Sequence, residues 1–285
     1  MAGGFSVHIF VPSGNPEGLR VVQKSNWTGQ GLVFPRALFS EARLRPEMEG
    51  AGVYVLWDSA NALGPLPSAY VGQSDGVLTR LSQHFAGKEF WTQAVVFTSK
   101  DKGFNKAHAQ YVESRLIELA RAAKRSNLEN GNAPQPPHLS EADIADSEAF
   151  LADILHCLPM VGVGFFEVAR IATDPDEDLL LISKGIHARG ADRPEGFVVR
   201  AGSEVVTQEV PSLPPHLHEL RSSLLKQGVF DDSGLIWRLN QDYTFQSPST
   251  ASSVLLGRNS NGRLEWRNHH GKTLKQIQDG EGILQ

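Results

Sequence analysis

The segments GVYVLW at residues 52–57 and AYVGQSDGVLTRLSQH at residues 69–84 decide the fold of the central part of this chain. Each begins with a short aliphatic and aromatic run, which is typical of a β-strand. The connector between them is rich in glycine and proline, the residues that turn a chain. We therefore expect a hairpin in which residues 53–57 pair with residues 69–72 across a long loop.

Two helices are expected after this hairpin. The first, capped by Ser74 or Asp75 and ending near Gly87, has apolar residues three and four positions apart: Leu78, Leu81 and Phe85. This spacing leaves Arg80 and His84 one turn apart on the same flank of the helix.

Residues 90–97 predict a third strand, and Asn105 caps a second, longer helix. The apolar stripe of that helix comprises Ala109, Val112, Leu116, Leu119 and Ala123. Glu113 lies at the edge of the stripe, where solvation of its carboxylate is partial. A positively charged partner or a metal ion would stabilise a carboxylate at that position.

Five polar side chains on these elements form an unusual set: Tyr54, Tyr70, Arg80, His84 and Glu113. Singly, each has an ordinary interpretation, because strand tyrosines usually fill a core and charges on helix surfaces are usually solvated. Together they suit phosphodiester hydrolysis. A carboxylate can hold a metal ion that polarises a phosphate oxygen, and an arginine fork matches developing negative charge. A phenol can accept a proton from water when nearby cations lower its pKa.

Gly52-Val53-Tyr54, Tyr70-Val71-Gly72, Arg80, His84 and Glu113 occur in an order and at a spacing that resemble the GIY-YIG endonuclease superfamily. The resemblance covers residues 52 to about 132. It implies a three-stranded antiparallel sheet flanked by helices. It also implies a single Mg²⁺ or Mn²⁺ bound by Glu113 and a scissile phosphate bound by Arg80.

The resemblance further implies that Tyr54 and Tyr70 orient or deprotonate the attacking water. His84 stands where family members carry a histidine or tyrosine that assists at the phosphate. The last landmark of the family is an asparagine after the glutamate helix, for which Asn127, Asn130 and Asn132 all qualify. We favour Asn130. Further candidates for substrate contact are Gly72, Asn132 and Arg258.

The remaining sequence suggests an α+β protein with three parts. Residues 1–50 form a β-rich N-terminal extension, residues 51–172 the nuclease-like domain, and residues 179–285 a second, small α+β domain. An acidic helix from Ser140 to about Leu158 closes the second part, and a charged connector at residues 174–178 marks the boundary.

In the C-terminal domain we expect strands at residues 179–183, 196–200, 205–206 and 264–267, and helices at 214–228 and 248–257. Asn261-Gly262 is expected to form a tight turn before the last strand. This domain resembles an uncharacterised domain often fused to bacterial nucleases of the same superfamily. Several arginines there are candidates for phosphate contact: Arg189, Arg193, Arg200, Arg258, Arg263 and Arg267.

Net charge is −5, which argues only weakly against a nucleic-acid partner, because residues 136–180 contain ten Asp and Glu against one Arg. The parts on either side are mildly basic, so a local groove for nucleic acid is compatible with the charge. The single cysteine, Cys157, lies on an apolar helical stripe and is expected to be buried and inert. Without a membrane-spanning run or a leader in residues 1–30, we expect a soluble, cytoplasmic protein.

These patterns predict a metal-dependent endonuclease that hydrolyses nucleic-acid phosphodiesters, with DNA as the favoured substrate and RNA as the alternative. The competing hypothesis is a nuclease-like module that binds nucleic acid, or assembles with a partner, without cutting. A bacterial defence or repair setting rests on family analogy. Cutting both strands of a duplex with one site requires a second protomer or a second event, so a homodimer is compatible with this function.

Overall fold

The structure is a computed structural model that describes residues 4–58, 66–101, 103–131, 134–169 and 178–281. These residues form two compact α+β units. Of the described residues, the first contains 4–58 and 67–167, and the second contains Leu66 and the residues from Val168 onward. The predicted boundary at residues 174–178 and the long hairpin loop fall largely outside the described residues.

A seven-stranded sheet forms the centre of the first unit, in the order β1-β2-β3-β6-β4-β5-β7. All neighbours are antiparallel except β5 and β7, which are parallel. The strands are β1 (Val7–Phe10), β2 (Arg20–Lys24), β3 (Gly29–Pro35), β4 (Gly52–Trp57), β5 (Ser68–Ser74), β6 (Gln93–Ser99) and β7 (Asn127–Leu128).

Helices cover both faces of this sheet. They are α1 (Phe39–Ala42), α2 (Val77–Gly87), α3 (Lys106–Ala123) and α4 (Glu141–Cys157). Helices α3 and α4 pack on the face that carries Val53 and Val55, whereas α1 and α2 pack on the face that carries Tyr54 and Leu56. This alternation along β4 follows from the two-residue repeat of a strand. Because helices cover both faces of the sheet, every residue of β4 is buried.

The N-terminal extension lies in the same sheet as the predicted hairpin. Strand β3 pairs along its whole length with β6, from Gly29 opposite Ser99 to Pro35 opposite Gln93. The three strands implied by the resemblance, β4, β5 and β6, therefore form the middle of a larger sheet. The third of them begins three residues later than the sequence predicts, at Gln93.

Helix α2 buries a different stripe from the one expected. Its buried residues are Val77, Leu81 and His84, whereas the side chain of Phe85 is 39% exposed. The helix begins after Gly76 without a side-chain cap, because the Ser74 hydroxyl accepts a hydrogen bond only from the Gly76 N–H. The expectation that Phe85 completes the core stripe and that Ser74 or Asp75 caps the helix is therefore wrong.

Helix α3 confirms the prediction of its start and of most of its stripe, of which Leu119 is only partly buried. The Asn105 side chain accepts hydrogen bonds from the N–H groups of Ala107 and His108, and the His108 ring accepts one from the Asn105 N–H in return. This reciprocal cap satisfies donors that the first turn of a helix leaves free. Glu113 is half-buried beside the stripe.

In the second unit, β8 (Leu179–Ser183), β9 (Ile186–Arg193), β10 (Gly196–Val199) and β14 (Tyr243–Phe245) form one antiparallel sheet. A smaller sheet contains β11 (Glu204–Val205), β12 (Phe230–Asp231) and β13 (Trp237–Leu239). The helices are α5 (Pro215–Lys226), α6 (Pro248–Leu256), α7 (Gly262–Glu265) and α8 (Leu274–Glu281).

Two expectations for this unit are wrong. Residues 264–267 are not a strand, because the Asn261 side chain accepts a hydrogen bond from the Arg263 N–H and starts α7 instead of a tight turn. Strand β9 was not expected. It follows a two-residue turn at Lys184-Gly185, where both residues have positive φ, as a type I′ hairpin turn requires.

Within the described ranges, no helix combines the length and the apolar character that crossing a membrane requires. Cys157, the last residue of α4, is buried in the core, and burial raises the pKa of its thiol to about 11. The thiol is therefore protonated at neutral pH, as expected for an inert cysteine.

The edge of the sheet at β5 is closed by a side chain. Strand β7 pairs with β5 only at Ser68 and Ala69. At the next position the Asn130 Nδ2 donates to the Val71 carbonyl at 2.8 Å, and its Oδ1 accepts from the Val71 N–H at 3.0 Å. The Asn130 side-chain amide thus takes the place of a neighbouring strand's backbone and extends the ladder by one position.

We expect Asn130→Ala to lower the free energy of unfolding by about 1–3 kcal/mol, because both backbone groups of the buried Val71 lose their partner. Urea unfolding followed by tryptophan fluorescence measures the change. Glu129→Ala is the matched control, since Glu129 is exposed and uses only its backbone N–H toward β5. Equal stability of the two variants would contradict the role assigned to Asn130.

Candidate functional site

An open cavity of about 270 Å³ lies at the end of β5. It is lined by residues of β4, β5, α2, α3 and the turn after β5: Tyr54, Tyr70, Gln73, Ser74, Asp75, Arg80, Lys106 and Glu113. Four of the five polar residues singled out in the sequence therefore border one cavity. The fifth, His84, lies behind it, in contact with Tyr54.

Strand pairing brings the two tyrosines together. Tyr54 lies opposite Gly72, and Tyr70 lies opposite Leu56, so the phenols are diagonal neighbours on one face with ring centroids 6.4 Å apart. The Tyr54 ring lies over Gly72, and a Cβ at that position would overlap its hydroxyl and ring atoms. Glycine at position 72 is therefore required for the placement of Tyr54.

A hydrogen bond of 2.8 Å joins the Tyr54 hydroxyl to His84 Nε2. Both side chains are buried, and the His84 ring also lies edge-on to the Tyr70 ring. Burial, helped by the charges of Arg80 and Lys88, lowers the pKa of His84 to about 4. The imidazole is therefore neutral at pH 7, with one protonated and one unprotonated ring nitrogen.

Both phenols are harder to ionise than free tyrosine. Burial is the main cause of the raised pKa of Tyr54, and the neighbouring Tyr70 and Glu113 add to it, while Arg80 opposes it. The pKa of Tyr70 is raised for the same reasons, with less burial of its side chain. At neutral pH both hydroxyls are therefore protonated and able to donate a hydrogen bond.

Arg80 and Glu113 supply the charges of the cavity. Arg80 is exposed, its guanidinium donates to the Gln83 side chain at 2.9 Å, and it also lies within hydrogen-bonding reach of both phenols. A guanidinium has five N–H donors, so an anion can bind to it as well. Burial raises the pKa of Glu113 to about 7, against the opposing effects of Arg80 and a backbone hydrogen bond from Gln73. A half-buried carboxylate in this state gains from any cation that binds beside it.

The donors in the cavity fit a hard divalent cation. Besides the Glu113 carboxylate, the side-chain oxygen of Gln73 is buried and has no hydrogen-bond partner among the described residues. Carboxylate and amide oxygens are the protein ligands that Mg²⁺ and Mn²⁺ prefer. The described residues contain no cluster of three or more His, Cys, Asp or Glu, so water and substrate oxygens would complete the coordination.

The other predicted site residues lie outside this cavity. Asn130 binds the backbone of Val71, and Gly72 lies beneath the Tyr54 ring. Asn132 lies outside the described residues. Arg258, in the second unit, forms an ion pair of 2.6 Å with Glu265.

Other candidate arginines of the second unit also have partners within that unit. Arg200 forms a buried ion pair with Asp178, and Arg263 binds Gln278 and Asp279. These guanidinium groups therefore contribute to the packing of their own unit.

Sequence reasoning missed four residues of the cavity: Gln73, Ser74, Asp75 and Lys106. Gln73 was detectable in principle, because it follows Gly72 in a strand and so faces α3, the helix that carries Glu113. Lys106 follows the predicted cap Asn105 directly. Neither residue could be assigned to the cavity without knowing that α3 crosses the end of β5.

Residues 179–278 match the family described as a domain of unknown function, DUF4357. The matched range covers most of the second unit and lies inside the predicted C-terminal domain. No curated protein and no solved structure matches the chain. The similarity therefore defines a class for the second unit alone, and the chemistry of the first unit has to be inferred from its cavity.

We expect Gly72→Ala to destabilise the protein by about 1–3 kcal/mol, because the new methyl group forces the buried Tyr54 ring to move. Thermal unfolding followed by circular dichroism measures this change. Gly87→Ala, where a Cβ meets no atom within 4 Å, is the control and should be neutral or slightly stabilising. A neutral Gly72→Ala would contradict the close packing of Tyr54 on this glycine.

Glu113 should give the stability of the metal-free protein a distinct pH dependence. Its pKa of about 7 in the folded state lies above the ordinary value of 4.5, so the folded protein holds a proton that the unfolded chain releases. Stability therefore falls as pH rises from about 4.5 to 7. Glu113→Gln removes this loss, and its stability relative to wild type should be greater at pH 8 than at pH 4.5.

Urea unfolding at a series of pH values, with a chelator present, measures this difference. Parallel pH profiles for wild type and Glu113→Gln would show that the carboxylate is solvated instead of half-buried.

Proposed function

We propose that the first unit is a metal-dependent endonuclease that hydrolyses phosphodiester bonds of nucleic acid, with DNA as its substrate. The observation that carries this proposal is the single cavity bordered by two phenols, a guanidinium and a half-buried carboxylate. Such a set can bind a phosphate, orient water and hold a metal ion. Within this proposal the protein acts in the cytoplasm.

In the proposed reaction a water oxygen forms a bond to phosphorus, and the bond from phosphorus to a sugar oxygen breaks. Arg80 binds the scissile phosphate through its N–H donors and stabilises the charge that develops on its oxygens. Tyr70, the more exposed phenol, donates to the phosphate or orients the water. The water loses a proton to the Tyr54–His84 pair, and the leaving oxygen takes one from solvent in the open cavity.

Tyr54 and His84 offer a route for the proton of the water. When the hydroxyl of Tyr54 donates to the neutral His84 at 2.8 Å, its oxygen can accept a proton as its own moves to the imidazole. This relay avoids a free phenolate, which burial disfavours. Burial, Arg80 and Lys88 also disfavour the imidazolium that forms, so His84 holds the proton only transiently and releases it again. His84 in this scheme acts through Tyr54.

Glu113, with Gln73 beside it, would hold one Mg²⁺ or Mn²⁺. When bound, the ion supplies Lewis-acid polarisation of the phosphate and a lower pKa for nearby water and phenol.

The raised pKa of both tyrosines favours one competing function, a module that binds nucleic acid without cutting it. Protonated phenols are suitable donors to phosphate but poor bases. The same protein would then bind DNA and leave it intact at every metal concentration.

A plasmid cleavage assay with Mg²⁺ or Mn²⁺ tests the proposal. Wild type should nick the plasmid, and Glu113→Gln and Arg80→Ala should each lower the rate by at least about 100-fold. The first weakens metal binding, and the second removes the cation that stabilises the transition state. Tyr70→Phe should lower the cleavage rate. Tyr54→Phe should have only a small effect on folding. Glu118→Gln, on the same helix but outside the cavity, is the control.

Mg²⁺ should also raise the melting temperature of wild type and leave that of Glu113→Gln unchanged. Full activity in Glu113→Gln would refute the assignment of the metal site. Binding of DNA by wild type with no cleavage in either metal would favour the binding module.

A further inference from the structure

Lys106 lines the same cavity as Arg80 and Glu113, although it plays no part in the reaction described above. Its side chain is 62% exposed, and its ammonium group lies 3.6 Å from a carboxylate oxygen of Asp75, which is 67% exposed. An exposed pair at this distance contributes little to stability. The pair is therefore easily separated by a competing anion.

The position of Lys106 in its helix is unfavourable for a cation. It is the first residue of α3, where the helix dipole is positive, and the first turn of α3 contains no acidic residue. The lysine thus adds positive charge to a positive helix end at the rim of the cavity. A local electrostatic cost of this kind is expected where a site binds an anion.

We propose that Lys106 binds the phosphate next to the scissile one, so that the cavity recognises two consecutive phosphates of a nucleic-acid strand. Arg80, on α2, contacts one phosphate, and Lys106, on α3, which lines the same cavity, contacts its neighbour. Asp75 is the counter-ion of Lys106 in the free protein and is displaced by the second phosphate. This inference rests on the proposed function.

Two consequences distinguish this arrangement from general attraction by surface charge. A ligand with two phosphates on one nucleoside should bind better than a ligand with one, and the advantage should depend on Lys106. Removal of the charge on Asp75 should strengthen binding of the longer ligand, since the carboxylate competes with phosphate for the ammonium group.

The test uses the full chain with the Glu113→Gln substitution, which prevents cleavage, and a fluorescein-labelled DNA duplex in an anisotropy assay. Thymidine 3′,5′-bisphosphate and thymidine 5′-monophosphate then compete with the duplex. We expect the bisphosphate to compete about fivefold better, and Lys106→Ala to abolish this advantage. Lys106→Ala should also reduce the salt slope of duplex binding by about 0.9, the value for one phosphate contact.

Lys100→Ala is the matched control, because Lys100 is exposed in the same unit and does not line the cavity. It should keep the preference for the bisphosphate. Asp75→Asn should increase that preference. The inference is overturned if Lys106→Ala keeps the advantage of the bisphosphate, or if the parent protein shows none.

Failure of the proposed function gives a different result. In that case the protein without the Glu113→Gln substitution cleaves no nucleic acid with Mg²⁺ or Mn²⁺, whatever the bisphosphate competition shows. The cleavage assay therefore reports on the function, and the competition assay reports on Lys106.

Discussion

The placement of the Tyr54 ring over Gly72 is the constraint on which the candidate site depends. It follows from the pairing of β4 with β5, which sets these two residues opposite each other. Only a residue without a side chain leaves room for the ring, and the ring then directs its hydroxyl to His84. A shift of one residue in this pairing would turn Tyr54 to the opposite face of the sheet, away from Tyr70, and separate the two phenols.

Burial has two effects in this cavity. It fixes the tyrosines and His84 through packing, and it disfavours the charged forms of Tyr54, Tyr70, His84 and Glu113. At neutral pH the charges of the site are therefore those of the exposed Arg80, the partly ionised Glu113 and the pair at its rim. Charged ligands would stabilise such a cavity. A cation would favour the ionised form of the carboxylate, and an anion would bind the arginine.

The central hairpin, α3 and the Asn105 cap were predictable, because strand alternation, helical spacing and capping are local signals. The burial of His84 in place of Phe85 was not, since a hydrogen bond to Tyr54 offsets the cost of burying an imidazole, and that partner lies thirty residues away. Strand β9 was not predictable, because its exposed positions carry polar and charged residues. Helix α7 was not predictable, because Asn261 suits a turn as well as the helix cap that it forms. The cavity members Gln73 and Lys106 depend on how α3 crosses β5, which no local pattern specifies.

The long antiparallel pairing of β3 with β6 has a consequence for the order in which the chain folds. The two strands lie far apart in sequence, from Gly29 with Ser99 to Pro35 with Gln93. During synthesis β3 leaves the ribosome well before its partner β6. The apolar residues of β3 therefore remain uncovered until β4, β5 and β6 have emerged. Contacts of this range slow folding, and they leave the N-terminal segment open to misassociation until β6 has been made.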